Sequence, residues 1–337
     1  MNEISPNTAG PDASERFVGV GYGLFGVLLT SVTLPATALA LLGFHPMMAA
    51  FGRTVLVFPL ALGYLLWVGS LLPPRSAYFD IAILISGNVL GFPVFAALAV
   101  QHGSAANSAV ILGLMPITMA LISVFTGTER VGWSFWLWAV LGAASIVAFS
   151  VLRGGFGTPS PGDVFSLLSV VTGSFGLVSG SILTRTHGPM RTISWGVVCG
   201  FPIALTAVVV HLTIGHTMSD IPVVAWVGMV YVSLASSFLA FIPWNIGLAR
   251  GGASKVGQLQ LAQPILTLFL SVLILGEELT AWMVVVSLMV MVCVVCAGRS
   301  RLRIVWTART SSRRAERHHA RVPSPQTAPG PPSTGGR

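Results

Sequence analysis

Long apolar stretches separated by short polar interruptions dominate the chain, and this pattern predicts its elements. An α-helix needs roughly 20 consecutive apolar residues to cross a bilayer. Runs of this kind predict ten membrane-spanning helices, at residues 17–41, 46–71, 78–100, 105–126, 133–152, 163–184, 192–212, 223–246, 253–275 and 279–298. The predicted fold class is therefore an all-α integral membrane protein.

Composition agrees with this prediction. Hydrophobic residues make up 54% of the chain and charged residues only 8%. A soluble domain carries about 25% charged residues. The composition therefore excludes an ordinary soluble protein.

The basic residues predict an orientation. With the amino terminus inside, the external loops hold only Arg153, and the internal loops hold Arg75, Arg130, Arg185, Arg191, Arg250 and Lys255. Cytoplasmic loops are enriched in Lys and Arg, so both termini are predicted to be cytoplasmic. The 17 Arg against one Lys indicate a GC-rich genome and hence a bacterial inner membrane as the plasma membrane concerned.

One segment occurs twice, 148 residues apart. Residues 103–133 and 251–281 align without a gap and are identical at seven of 31 positions, including Pro116 with Pro264. The charges at the segment ends are exchanged: His102 with Arg250, Asn107 with Lys255, and Arg130 with Glu278. Because positive charge marks the cytoplasmic side, the copies are predicted to cross the bilayer in opposite senses. Inverted repeats of this kind are typical of secondary transporters.

The repeat predicts the domain organisation. Five spans per half place the second half upside down relative to the first, so we expect two inverted five-helix repeats, at residues 17–152 and 163–298. A linker rich in Gly and Pro, residues 153–163, separates them. Residues 1–16 are predicted to be a short cytoplasmic arm.

Residues 299–337 are predicted to be a disordered cytoplasmic tail. They hold nine Arg and a single acidic residue, Glu316, among Ser, Pro and Gly, and cannot build a core. A basic cluster next to a membrane is attracted to anionic lipid headgroups. We expect this lipid anchor rather than nucleic acid as the partner of the tail.

Two prolines and two glutamines are candidates for a central site. Pro116 and Pro264 fall near the middle of their spans, where a proline removes a backbone donor and kinks a helix. Interrupted spans at matching positions of two halves point to a transport site, although a packing kink is the simpler alternative. Gln260 and Gln263 share roughly one face of the ninth span, and they either contact substrate or bond neighbouring helices.

Arg53 is the one ionised side chain well inside a predicted span. A membrane-embedded Arg is costly and by default marks function. It offers a fork of donors to a carboxylate or phosphate, or it braces helix carbonyls. Because no carboxylate lies inside a predicted span to pair with it, the sequence favours a functional cation.

Asn88 and Trp244 complete the candidate substrate-binding residues. Asn88 lies mid-span between Gly87 and Gly91, whose spacing lets helices approach closely, as does that of Gly176 and Gly180. Trp244 lies near the cytoplasmic end of the eighth span, where an interfacial aromatic belt is the simpler explanation.

Catalytic, metal and cofactor sites are not predicted. The three cysteines lie inside spans without His or acidic neighbours, and the sequence contains no GxxxxGK[ST] motif for ATP. The acidic residues lie at span ends or in loops. Proton pumps usually relay protons through buried acids or His, so transport is predicted to be facilitative, exchange-driven, or proton-coupled without a buried carboxylate.

The second half, ASSFLAFIPWNIGLARGGASKVGQLQLAQPILTLFLSVLILGEELT, resembles the EamA-type permeases of the drug/metabolite transporter superfamily. It carries a Trp-Asn pair, a Gly-Ala-Ser turn, a mid-helix Pro and a closing Gly-Glu. The first half echoes it, with Gly-Thr-Glu in place of Gly-Glu and an Arg in the second span, Arg53. The resemblance covers roughly residues 17–298. It implies ten helices around a central cavity and the movement of small metabolites, usually outward.

The predicted function is therefore a secondary transporter that exports a small metabolite, such as an amino acid or a related zwitterion or anion, by alternating access. A multidrug efflux permease is the first alternative, but cationic drugs favour a buried acid and an aromatic cage. An integral membrane enzyme is the second, and it lacks a nucleophile and base at a common depth. Assembly as a homodimer is left open.

Overall fold

The computed structural model describes residues 13–126, 130–153, 160–214, 220–251, 259–299 and 301–302. Within these residues the chain is helical, apart from short connecting turns and two two-residue strands, β1 (Arg130–Val131) and β2 (Arg301–Leu302). The strands pair antiparallel, with Arg130 opposite Leu302. Residues 303–337 of the predicted tail lie outside the described residues, as do residues 1–12 of the predicted arm.

The described helices of the first half are α1 (Ala13–Ser31), α2 (Thr33–Ala40), α3 (Pro46–Val68), α4 (Tyr78–Leu84), α5 (Phe92–Gln101), α6 (Ala105–Leu112), α7 (Met115–Phe125) and α8 (Trp133–Arg153). A 3-10 turn, Arg75–Ala77, precedes α4, and a π-helical segment, Ile85–Gly91, joins α4 to α5. Because α1 begins at Ala13, the last four residues of the predicted arm, 13–16, are helical.

The described helices of the second half are α9 (Pro161–His187), α10 (Pro189–Thr213), α11 (Val223–Val230), α12 (Phe241–Gly251), α13 (Gln263–Leu275) and α14 (Ala281–Arg299). A π-helical segment, Tyr231–Leu239, joins α11 to α12, and a 3-10 turn, Gln260–Ala262, precedes α13. At the start of α9, Ser160 and Asp163 form a capping box that satisfies two backbone N–H groups.

Seven helical stretches of the described chain are long and apolar enough to cross a membrane. They are Phe17–Ala40, Pro46–Val68, Arg75–Gln101, Ala105–Phe125, Pro161–His187, Pro189–Thr213 and Val223–Leu248. Three shorter apolar helices, Trp133–Phe149, Gln260–Leu275 and Ala281–Ala297, lie where the sequence predicts the fifth, ninth and tenth spans. The protein is thus a helical, multi-pass membrane protein.

Helices of the first half pack against helices of the second in antiparallel pairs. Helix α3 pairs with α10, α6 pairs with α13, and α8 pairs with α14. Helix α1 pairs with α12, and α2 pairs with α11. Helix α9 packs along α4, α5 and the π-helical segment between them. In the α3–α10 pair, for example, Phe58 stacks on Phe201, and the ring of His45, which caps α3, contacts that of His211. The core therefore lies between the two halves.

Small residues bring two of these pairs into backbone contact. A β-carbon added to Gly87 would lie 2.5 Å from the Thr172 carbonyl oxygen and 2.6 Å from the Gly176 nitrogen. One added to Gly247 would lie 2.5 Å from the Gly23 nitrogen. Such distances leave no room for a side chain. For Gly87 and Gly176, the GxxxG spacing with Gly91 and with Gly180 predicts this close approach.

Interruptions recur in the two halves at a separation of 148 residues. The first π-helical segment ends at Gly91 and the second at Leu239. Helix α7 begins at Met115 and α13 at Gln263, while α8 begins at Trp133 and α14 at Ala281. The repeat that the sequence contains is therefore also a repeat of local backbone structure.

Candidate functional site

A cavity of about 430 Å³ lies between the two halves. Both π-helical segments, α3, α7, α9, α10 and α13 contribute to its wall, together with the ends of α1 and α2 that face each other. Its polar lining side chains are Thr30, Thr33, Arg53, Thr54, Asn88, Ser123, Ser181, Ser236, Ser237, Gln260, Gln263 and Thr267. The cavity has the size and mixed character of a small-molecule site.

The structure brings six of the seven sequence-predicted site residues together at this cavity: Arg53, Asn88, Pro116, Gln260, Gln263 and Pro264. Trp244 does not line it. Its backbone instead packs against α1, where a β-carbon added to Gly26 would lie 3.0 Å from the Trp244 nitrogen. The structure therefore places Trp244 at a helix contact, away from the cavity.

Both prolines lie where a helix is interrupted. The sequence predicts kinks within continuous helices, but Pro116 and Pro264 occupy the first turns of α7 and α13. Proline is tolerated there because a first-turn N–H has no partner within the helix. The break leaves irregular backbone at the cavity, which is where membrane proteins tolerate it.

Arg53 extends from α3 to the cavity and makes one hydrogen bond with a described residue. Its Nη2 donates to Ser237 Oγ over 2.6 Å. A guanidinium carries five N–H donors, so most of its donors have no protein acceptor among the described residues. Without a described carboxylate in contact, its charge is available to a substrate.

Three amides add further hydrogen-bonding capacity to the wall. The side chains of Asn88, Gln260 and Gln263 line the cavity, and among the described residues none of these amides has a protein partner. Each amide offers two donors and an acceptor oxygen. They can therefore bind a polar substrate from the walls that the π-helical segment Ile85–Gly91, the 3-10 turn Gln260–Ala262 and α13 provide.

The close crossing at Gly87 fixes the position of Asn88. Because Gly87 packs directly on Gly176, the neighbouring backbone cannot shift without separating α9 from the π-helical segment. Isolated π-helical turns within α-helices frequently occur at functional sites. At the 148-residue separation Asn88 corresponds to Ser236, which lines the cavity from the second π-helical segment.

Part of the cavity wall is apolar. Phe92, Met115, Met119 and Phe241 line it, together with aliphatic side chains. Methionine adapts to irregular apolar groups. The arrangement therefore suits a solute with a charged or polar end and an apolar body.

Sequence reasoning missed the hydroxyls of the second π-helical segment. The side-chain oxygens of Ser236 and Thr33 lie 2.5 Å apart and are hydrogen-bonded. The Thr33 hydroxyl donates to the Thr30 carbonyl, so it accepts its bond from Ser236. A pair of serines inside an apolar run, 148 residues after Asn88, is the signal that could have revealed this wall.

A contact at the end of the bundle was also missed. Glu277 accepts hydrogen bonds from the Ala105 and Ala106 N–H groups, over 3.0 and 2.7 Å. It therefore caps α6 from the opposite half and complements the positive end of the helix dipole.

In the part of the chain that the structure describes, His, Cys, Asp and Glu do not form a group of three or more that could hold a metal ion.

Comparisons with known proteins agree with the helical membrane-protein fold. The model of the EamA-like transporter family matches twice, at residues 17–151 and 160–299. An uncharacterized transporter of Bacillus subtilis (strain 168), YdeK, is 36% identical over 277 residues, which cover 82% of this chain and 96% of that protein.

Two more distant similarities are informative. The aromatic amino acid exporter YddG of Ancylobacter novellus is 28% identical over 188 residues, covering 55% of this chain and 64% of that protein. A protein crystal structure superposes with a TM-score of 0.58 at 20% identity, over 83% of this chain and 98% of that one. The latter supports the fold alone. With both halves matched by the family model, the chain belongs to the EamA-like transporter family, within the drug/metabolite transporter superfamily.

Proposed function

We propose that this protein is a secondary transporter that exports a small carboxylate-bearing metabolite, with an amphipathic amino acid as the best fit. The observation that carries the proposal is the Arg53 guanidinium, which faces the cavity without a described carboxylate partner. An unneutralised cation in a membrane protein attracts an anionic group of the solute. Its planar fork matches a carboxylate with two parallel hydrogen bonds.

The rest of the cavity fits the remaining parts of such a solute. The amide oxygens of Asn88, Gln260 and Gln263 can accept hydrogen bonds from an ammonium group. Phe92, Phe241 and Met115 offer apolar surface to a side chain. The similarity to YddG, whose name describes an aromatic amino acid exporter, supports both the solute class and the outward direction.

The ten-helix, inverted-repeat architecture is part of the proposal. The seven long helices and three shorter ones together supply ten elements. The antiparallel pairs support inversion. Helix α3 packs against its own counterpart, α10. The contact of α1 with α12 has its counterpart in the contact of α9 with α5. A two-fold axis in the membrane plane produces this self-complementary pattern. Alternating access then follows from rocking of the two halves around the cavity.

Localisation in the bacterial inner membrane with both termini cytoplasmic completes the proposal. Multidrug efflux fits less well, because no carboxylate is among the described residues that line the cavity. A cationic drug would meet the charge of Arg53 with the wrong sign.

The substrate class is tested with purified protein reconstituted in lipid vesicles. The probes are radiolabelled L-phenylalanine, phenethylamine, which lacks the carboxylate, and hydrocinnamate, which lacks the amine. We expect counterflow of L-phenylalanine, weaker counterflow of hydrocinnamate and none of phenethylamine. Transport of phenethylamine alone would overturn carboxylate recognition and favour cation efflux.

The inversion is tested by the accessibility of counterpart positions. His102→Cys and Arg250→Cys are labelled in whole cells with a membrane-impermeant maleimide, with the unsubstituted chain as the control for its own three cysteines. We expect labelling at position 102 from outside and at position 250 only after the membrane is opened. Labelling of both positions from the same side would refute the inverted repeat.

A further inference from the structure

Ser237 joins Arg53 to the second π-helical segment through two hydrogen bonds. Its Oγ accepts from Arg53 Nη2 over 2.6 Å and donates to the Val232 carbonyl over 2.5 Å. A hydroxyl has a single hydrogen. Because Val232 takes that hydrogen, Ser237 Oγ can present only lone pairs to the guanidinium. Its direction as an acceptor is therefore fixed.

The π-helical turn is what gives Ser237 this direction. On the same segment Ser233 donates to the carbonyl four residues earlier, of Met229, as serines in α-helices do. Ser237 instead reaches five residues back. A turn with one extra residue changes where the later side chains point. Ser237 consequently faces α3 and the cavity, while Ser233 is fully buried and does not line it.

Neighbouring contacts hold the segment in place. The Tyr231 hydroxyl donates to the Leu29 carbonyl over 3.0 Å, and Ser236 bonds Thr33. Both contacts tie the segment to the first span. Ser237 is thus a fixed acceptor and Arg53 is the long, flexible partner, so the bond restricts the guanidinium rather than the serine.

We propose that Ser237 is a positioning residue, which holds one edge of the Arg53 guanidinium so that its remaining donors face a substrate carboxylate. The role in recognition rests on the proposed function; the restraint on Arg53 does not. Without Ser237 the guanidinium keeps its charge but samples more orientations. Binding of a carboxylate then weakens because the fork must be ordered first.

The restraint is tested without any substrate. The full-length protein in detergent is treated with phenylglyoxal, and modification of Arg53 is followed by mass spectrometry in the wild type, Ser237→Ala, Ser237→Gly and Ser237→Thr. Ser233→Ala is the matched control. We expect Arg53 to react about tenfold faster in the Ala and Gly variants, the factor for losing one hydrogen bond to a charged group. The Thr variant, which keeps a hydroxyl, and the control should react at the wild-type rate. Unchanged reactivity in both deletion variants would overturn the proposal.

Vesicle transport of L-phenylalanine tests recognition separately. Ser237→Ala should raise KM about tenfold, the factor for losing that same hydrogen bond to a charged group, and leave kcat within about twofold, while Ser237→Thr restores KM. An equal loss in kcat and KM would indicate general damage and contradict the role. If the wild type does not carry L-phenylalanine, the proposed substrate fails and the phenylglyoxal result alone decides the restraint.

Discussion

The broken helices of the two halves have the same backbone arrangement but differ in the side chains that line the cavity. Pro116 and Pro264 occupy the same place in their helices, and both line the cavity. The first copy carries Leu112 and Met115 where the second carries Gln260 and Gln263. All four residues line the cavity. One wall is therefore apolar and the matching wall is polar.

This difference separates two functions of the repeat. The prolines produce the helix interruption, which both halves need for a cavity between them. The side chains one turn before and just before each proline line the cavity, and there the halves diverge. A symmetric backbone thus supports an asymmetric cavity wall, which suits the amphipathic solute that we propose.

The largest expected effect tests whether the charge of Arg53, rather than the helix interruptions, is responsible for substrate recognition. Arg53→Ala leaves both interruptions intact but removes the cation. Two charge-assisted hydrogen bonds are lost, so we expect transport efficiency for L-phenylalanine to fall by about a hundredfold or more, with expression unchanged. Initial rates in vesicles measure this effect. Wild-type flux in the variant would refute a role for Arg53.

An intermediate effect is expected when the polar wall is made like the apolar one. Gln260→Leu and Gln263→Met copy the first half into the second. Each removes a proposed hydrogen bond to the ammonium group of the solute, so we expect affinity to fall about tenfold per substitution. Calorimetric titration with L-phenylalanine measures this change.

The reciprocal variant provides the control for that comparison. Met115→Gln adds an amide to the apolar wall, and it should weaken the binding of L-phenylalanine more than that of glycine. If Gln260→Leu, Gln263→Met and Met115→Gln all bind L-phenylalanine as the wild type does, neither wall contributes to binding.

The smallest expected effect concerns the cap that Glu277 provides at the start of α6. Glu277→Gln leaves one acceptor oxygen where the carboxylate accepts from both Ala105 and Ala106. We expect the free energy of unfolding to fall by about 1–2 kcal/mol, because one hydrogen bond to a charged group is lost. Denaturant unfolding in detergent measures it. The matched control is Glu278→Gln, at the exposed neighbouring residue, which should leave the free energy of unfolding unchanged. Equal losses of this free energy in both variants would argue against the cap.

Much of the architecture could be predicted from the sequence because it follows from local rules. Apolar runs predict helices, and the repeated proline predicts a break in each half. The membrane cost of Arg53 and the shared helix face of Gln260 and Gln263 direct these residues toward the interior, where the structure has them.

The rest depends on packing across the halves. Nothing local distinguishes Ser237 from Ser233, since only a π-helical turn separates their directions. Trp244 carries a family-like motif, yet its backbone packs on Gly26. The sequence places Glu277 at a span end, but its partner, the start of α6, is 171 residues away. Contacts of this range are invisible to periodicity.

The glycine crossings limit how such a molecule can rearrange. Where Gly87 meets Gly176 and Gly247 meets Gly23, backbone lies on backbone with no side chain to rotate out of the way. In the alternating-access cycle that we propose, those partners would move together as rigid blocks. The cavity would then open and close at helix contacts where larger side chains intervene. An alanine at Gly87, Gly176 or Gly247 would act as a wedge between the helices that meet there.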